Sequence, residues 1–205
     1  MKFIPVDRKT WKRESTYLRF TKQVPCTFDM TVNLDITKFL QKKGKDVKFF
    51  PALLYCISCA VNLRKEFRMT KKDGTLGYYD EINPQYTVFD ENTQTFHTRI
   101  VEYNENFKKF YSDYLSEKNL SETTAVFDVS CIPWATFTSF QLNLGAGFDY
   151  FLPIFTIGKY FMQEQKTLLP FAMHVHHAVC DGFHASEFVG LLQKLLDDFL
   201  CNKEF

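Results

Sequence analysis

The fold and the chemistry both turn on "TLLPFAMHVHHAVCDGFH" (167–184). It begins as a long strand-like run and breaks at Asp181-Gly182. "FHASEFVGLLQKLLDDFL" (183–200) then closes the chain as an amphipathic helix, its apolar residues recurring at helical spacing. Four of the five histidines fall in this window, at 174, 176, 177 and 184. Side chains alternate across a strand, so His174 and His176 share one face while His177 points to the other. The window has no H-x-x-x-H helix pair, no C-x-x-C and no H-E-x-x-H, so no metal site is expected. His174 and His184 read as core or surface histidines with ordinary partners. A histidine at a strand's end, followed four residues later by Asp-Gly, sits where backbone leaves a sheet and side chains meet a cleft. Imidazole there suits proton transfer near neutral pH. Asp181 can orient it or build the loop, and Gly182 permits a tight turn. On spacing alone a structural histidine and a catalytic base stand level.

Outward from this window, helices and strands interleave without a strict β-α-β rhythm. "CTFDMTVNLDI" (26–36) alternates as a strand and runs into a short helix, "DITKFLQKKG" (35–44), with Asp35 as its N-cap and Gly44 near its end. "FFPALLYCISCAVNLRKEF" (49–67) is apolar nearly all round, a buried helix with Pro51 in its first turn. From 71 to 103 the pattern predicts strands joined by turns at Asp73-Gly74 and Asn83-Pro84. "NENFKKFYSDYLSEK" (104–118) carries an apolar helical face, and strand-like runs dominate from 127 to 179. No repeat or linker divides the 205 residues, so one domain, 1–205, is expected. Its class is α/β or α+β, a two-layer sandwich of mixed sheet flanked by helices.

Composition narrows the function. Lys+Arg (25) and Asp+Glu (24) nearly cancel, leaving no field to recruit nucleic acid or anionic lipid. No apolar run approaches a bilayer span of about 20 residues. The opening "MKFIPVDRKTWKRES" lacks the apolar core and cleavage site of a secretory signal. A cytoplasmic protein with free thiols is therefore expected, not a disulfide framework. Twenty-three Phe and ten Tyr exceed what core packing alone asks, so some are expected to line an apolar ligand pocket or a subunit interface, while any single Phe reads first as core.

"VHHAVCDGFH" (175–184) carries the H-H-x-x-x-D-G signature of acyltransferases that use coenzyme A or carrier thioesters. "TWKRE", "DITKFL", "KFFPALLY", "EFRMTKKDG", "PQYTVFDENTQTF", "IPWATFTSFQLN" and "FTIGKYF" precede it in order. Together they resemble the trimeric chloramphenicol acetyltransferases nearly end to end. The resemblance implies a chloramphenicol acetyltransferase-like fold and acetyl transfer from acetyl-CoA, a co-substrate, to the primary hydroxyl of chloramphenicol, with no metal or prosthetic group. It implies His177 as general base, its Nδ1 bonded to its own carbonyl. Ser130 is then the oxyanion donor, and Thr156 holds a water nearby. Asp181 pairs with Arg13 to support the loop, together with Gly182. Phe20, Val24, Phe28, Phe96 and Leu142 match acceptor-pocket positions; Tyr160, Lys48 and Lys159 match the coenzyme side. The family is a homotrimer with sites between subunits, one chain giving the histidine and its neighbour Ser130, Thr156 and most of the pocket.

Three departures bear on acceptor fit. The segment between "DYLSEKN" and "DVSCIPW" is about ten residues short of the family pattern. Asp128 stands where asparagine is usual, and His174 where glutamine is common. Competing readings are an acyltransferase for another hydroxylated acceptor, a dihydrolipoyl acyltransferase core, and a non-catalytic binder of aromatic ligands. The dihydrolipoyl family has D-H-R-x-x-D-G where this chain has H-H-A-V-C-D-G.

Overall fold

The computed structural model describes residues 1–116, 125–145 and 150–199. A short strand β1 (Phe3–Pro5) leads to helix α1 (Glu14–Leu18), which loosens into a π-helical turn at Arg19–Gln23. Strand β2 (Thr27–Asp35), helix α2 (Thr37–Lys43), helix α3 (Phe49–Asn62) and a 3-10 turn at Lys65–Arg68 follow. Next come β3 (Met69–Lys72), β4 (Thr75–Tyr79), β5 (Asn83–Asp90), β6 (Thr95–Ile100) and α4 (Phe107–Leu115). The chain finishes with β7 (Val126–Ile132), β8 (Ile154–Gly158), β9 (Phe161–Gln163), β10 (Lys166–His176) and α5 (Gly182–Asp197).

Among the described residues β1, β4 and β3 form a small antiparallel sheet. The large sheet runs β2-β10-β8-β7-β5-β6, with β9 added to β10. β7 pairs parallel with both β5 and β8, and the remaining pairs are antiparallel, giving the mixed sheet expected. β10 is an inner strand, which is why it is apolar and buried along nearly all its length. Pro170 is tolerated there because β9 pairs only as far as Leu168 and β8 begins at Phe171, so no ladder bond is lost on that side.

One face of the sheet meets the helices. Phe188 of α5 stacks on Phe67 (4.3 Å) and Phe155 (5.2 Å), and Phe155 stacks on Phe171 (5.3 Å). The odd positions of β10 therefore face the core, and the even positions face away. Residues 133–145 lie across that second face. Phe140 donates its N–H to Thr31 Oγ1 (3.2 Å), and Leu142 donates to Asp29 Oδ1 (3.3 Å). Gly158 has no side chain because the Phe137 ring is there: an added Cβ would approach it to 2.8 Å.

Several local expectations need correction. Asp73 (φ 49°) and Gly74 (φ 76°) do form the tight β3–β4 turn, but Asn83-Pro84 is no turn. These two residues open β5, Pro84 pairing with Phe127, a place where proline's missing N–H is tolerated. The strand-rich reading of 127–179 fails over residues 133–145, which fold over the sheet instead of joining it. The buried helix stops at Asn62, and "KEFR" forms the separate 3-10 turn. Ile36, not Asp35, holds the N-cap position of α2. Asp35 still serves that end, its Oδ1 accepting from Thr37 N (3.1 Å). The shortened segment falls largely on 117–124, outside the described residues, as does Cys201. The other five cysteines are free, and Cys56, Cys59 and Cys180 are buried. No described helix is long and apolar enough to cross a membrane.

Candidate active site

His177 is the first residue beyond β10. Its N–H donates to Cys26 O (3.1 Å), extending the β2 ladder by one bond past the His176–Thr27 pair. The chain then folds back, Val179 N and Cys180 N both donating to the His176 carbonyl (3.1 and 3.0 Å). His176 is buried with Nδ1 accepting from Ala178 N (3.1 Å), so that nitrogen serves the turn. His177 projects differently. Its imidazole lies flat on Phe20 (centroids 3.9 Å apart, planes 11° apart) and meets Phe28 edge-on (5.3 Å). Phe20 comes from the π-helical turn after α1, a local irregularity frequent at functional sites.

The two ring nitrogens of His177 are unlike. Nδ1 is buried and has no hydrogen-bond partner among the described residues; Nε2 is not sealed off in this way. The carbonyl that the resemblance assigns to Nδ1 instead accepts a long bond (3.5 Å) from Arg13 Nη2. Arg13 Nη1 pairs with Asp181 Oδ2, so one guanidinium ties both ends of the turn. Asp181 has a second task that spacing did not reveal. It is the N-cap of α5, its Oδ1 accepting from Phe183 N (3.1 Å) and His184 N (3.4 Å), while His184 Nδ1 completes a capping box with Asp181 N. Histidine here occupies the position that the S/T-x-x-E/Q pattern gives to Glu or Gln, so the motif was not recognisable. Burial would push the Asp181 carboxyl up, but the Arg13 bond and the charges of His184 and Arg13 outweigh it and hold it below its ordinary value. Cys180, in the same window, is no nucleophile: burial, with Asp181 adding to it, pushes its thiol up to about 12.

Ser130 and Thr156 lie elsewhere on the sheet. They are register partners on β7 and β8, and Thr156 pairs in turn with Ala172 of β10. All three face away from the helices. Ser130 lines a cleft of about 330 Å³ with Thr87, Phe89, Phe96 and Trp134. The five expected acceptor-pocket residues divide among three places. Phe20 and Phe28 touch His177; Val24, 52% exposed, follows the same turn. Phe96, 68% exposed, is in the Ser130 cleft, and Leu142 is held over β2 through Asp29. The residues expected on the coenzyme side lie near one another. Tyr160 stands against Phe49 (5.5 Å), which puts the exposed Lys48 and Lys159, one residue before each ring, beside the start of α3.

A family model described as "Chloramphenicol acetyltransferase" matches residues 1–193. The chloramphenicol acetyltransferase of Clostridium perfringens is 44% identical over 209 residues, covering 96% of this chain and 100% of that protein. The chain belongs to the chloramphenicol acetyltransferase family. It is an acetyltransferase. A solved chloramphenicol acetyltransferase superposes with a TM-score of 0.84 at 22% identity over 95% of this chain and 100% of that one. A probable dihydrolipoamide acetyltransferase from Listeria monocytogenes 4b F2365 gives 0.66 at 14% identity, over 100% and 98%. At these identities the two structures establish the fold alone.

The two single-residue departures from the family pattern, Asp128 and His174, both pair within the chain. Asp128 accepts from Gln85 Nε2 (2.8 Å) and from the Tyr150 hydroxyl (2.5 Å), the phenol pushed up by burial and by that carboxylate. His174 Nδ1 pairs with Asp29 Oδ1 (2.9 Å), while its Nε2 is buried without a partner among the described residues. Gln85, Tyr150, Asp29 and Thr87 were not anticipated. Each contacts its partner only because of strand register or chain reversal, and the sequence has no local signal for that.

Proposed function

We propose that this chloramphenicol acetyltransferase family member moves the acetyl group of acetyl-CoA to the primary hydroxyl of chloramphenicol, in the cytoplasm, as one domain within a homotrimer. The arrangement of His177 carries the reading. An imidazole fixed between two aromatic rings at a strand end, with Nδ1 shut away, offers Nε2 as its working nitrogen. Nε2 takes the proton of the acceptor hydroxyl, and the oxygen attacks the thioester carbonyl to form a tetrahedral intermediate. Collapse expels coenzyme A as a thiolate, which receives the proton back from His177. The oxygen that becomes negative needs a donor, and Ser130 supplies its O–H, with Thr156 beside it holding a water. Phe20, Val24, Phe28, Phe96 and Leu142 offer the apolar wall that a nitrophenyl ring prefers. Tyr160 takes the adenine face, and Lys48 and Lys159 the phosphates, next to a helix start that itself favours anions.

His177 and Ser130 belong to separate regions of one chain, and this supports a site completed by a neighbouring copy. Arg13, Asp181 and Gly182 keep the base's turn in shape. A different hydroxylated acceptor is the second reading, favoured by the carboxylate of Asp128, which stands two residues before Ser130 on the same strand face. The test follows coenzyme A release with chloramphenicol, with its analogue lacking the primary hydroxyl, and with a panel of other alcohols. Release with chloramphenicol alone is expected. Equal release from the analogue would remove the proposed acceptor atom, and faster release from another alcohol would favour the second reading.

A further inference from the structure

We propose that Thr87 is the positioning residue for the oxyanion donor, an inference that rests on the reading of Ser130 as that donor. β5 and β7 run parallel with Tyr86 opposite Val129, which brings Thr87 level with Ser130. Register then continues from Ser130 to Thr156, Ala172 and Thr31, a row crossing the sheet on the face away from the helices. Within that row Thr87 Oγ1 donates to Ser130 Oγ at 3.4 Å.

The direction of this bond matters. A serine hydroxyl has one proton and two lone pairs, and its rotor is free unless a neighbour fixes it. By filling a lone pair, Thr87 leaves the Ser130 proton to point elsewhere, into the cleft that both residues line. Threonine is suited to this because its branched Cβ restricts χ1, so the donor oxygen itself is held. Phe89, Phe96 and Trp134 wall the same cleft, and a donor already polarised by an incoming bond is strengthened in apolar surroundings. Nothing in the strand itself calls for the hydroxyl: valine would suit the pleat equally well.

Steady-state kinetics of Thr87→Val, Thr87→Ser, Ser130→Ala and the double variant Thr87→Val/Ser130→Ala test this, with thermal melts confirming that each folds. Thr87→Val is expected to lower kcat about threefold to tenfold, the worth of one hydrogen bond, with KM for acetyl-CoA unchanged. Thr87→Ser should recover most of the loss, and Thr87→Val should cost nothing further when Ser130 is already alanine. A normal kcat in Thr87→Val, or a change confined to KM for chloramphenicol, would make Thr87 a plain pocket wall and overturn the proposal. Equal losses in the presence and absence of the Ser130 hydroxyl would do the same. A normal kcat in Ser130→Ala would instead remove the reading of Ser130 on which the proposal stands.

Discussion

Around His177 the chain places two aromatic rings, a ladder bond to Cys26 and an Arg–Asp pair, whereas Ser130 sits in an open apolar cleft and takes a hydrogen bond from the Thr87 hydroxyl. The contrast follows from what each group must do. A base has to present one ring nitrogen in one direction, so the ring is clamped and its other nitrogen buried. A donor has to keep its only proton available, so it is oriented through a lone pair and otherwise left free. The two groups come from different parts of the sheet: His177 follows the end of β10, and Ser130 lies on β7, with β8 between them. Under the proposed mechanism they are the two halves of one site, completed by a neighbouring copy.

The largest expected effect is at the clamped region. His177→Ala should lower kcat by about 10²–10⁴-fold while far-UV circular dichroism stays unchanged, since the residue lies beyond the end of the strand. Retained turnover would place the base elsewhere. Ser130→Ala should follow, at about 10²–10³-fold in kcat, with substrate KM values little altered. A loss confined to KM would make the cleft a binding surface only.

Asp181 sharpens the comparison because it braces the turn after His177 through Arg13. Asp181→Asn keeps a good N-cap for α5 but gives up the ion pair with Arg13. The side chains of that pair are 18% and 30% exposed, so the cost is that of a charged hydrogen bond, about 1–3 kcal/mol, well short of a fully buried pair. Thermal denaturation should show the loss at neutral pH. The Asp181 carboxyl is depressed in the folded state, so its contribution is fully present above the unfolded carboxylate value of about 3.9. It fades as pH falls through the lower folded value, and the melts of Asp181→Asn and the parent should converge in acid. The smallest effect is at Phe20. Phe20→Leu keeps an apolar contact and removes the stacked ring, and a loss of about twofold to tenfold in kcat is expected from an aromatic pair. Unchanged kcat would show that Phe28 and the backbone suffice to aim the imidazole.

The clamp is more legible in the sequence than the cleft. The change from a long strand-like run to helical period across Asp181-Gly182 is enough to locate β10, the turn and α5, and to put His177 at the strand's end. The stacking of Phe20 on His177 has no such signal, because the two come from opposite ends of the chain and meet only through folding. Ser130 and Thr156 look like ordinary strand residues, and only family resemblance singles them out. Thr87 depends on the register of two parallel strands with β6 and α4 between them in the chain, which no local pattern encodes. Residues 133–145 mislead because their aromatic content mimics a strand, whereas they pack those rings and backbone donors onto a sheet face already formed.

Mixing two inactive variants tests the division of labour most directly. His177→Ala and Ser130→Ala chains, unfolded together in equal amounts and refolded, should form mixed trimers in which some sites pair an intact His177 with a neighbour's intact Ser130. With random assembly around a threefold axis, about a quarter of sites are whole, and that fraction of parental activity should return. Mixed oligomers with no activity above either variant alone would mean that both groups must come from one chain, contradicting the account.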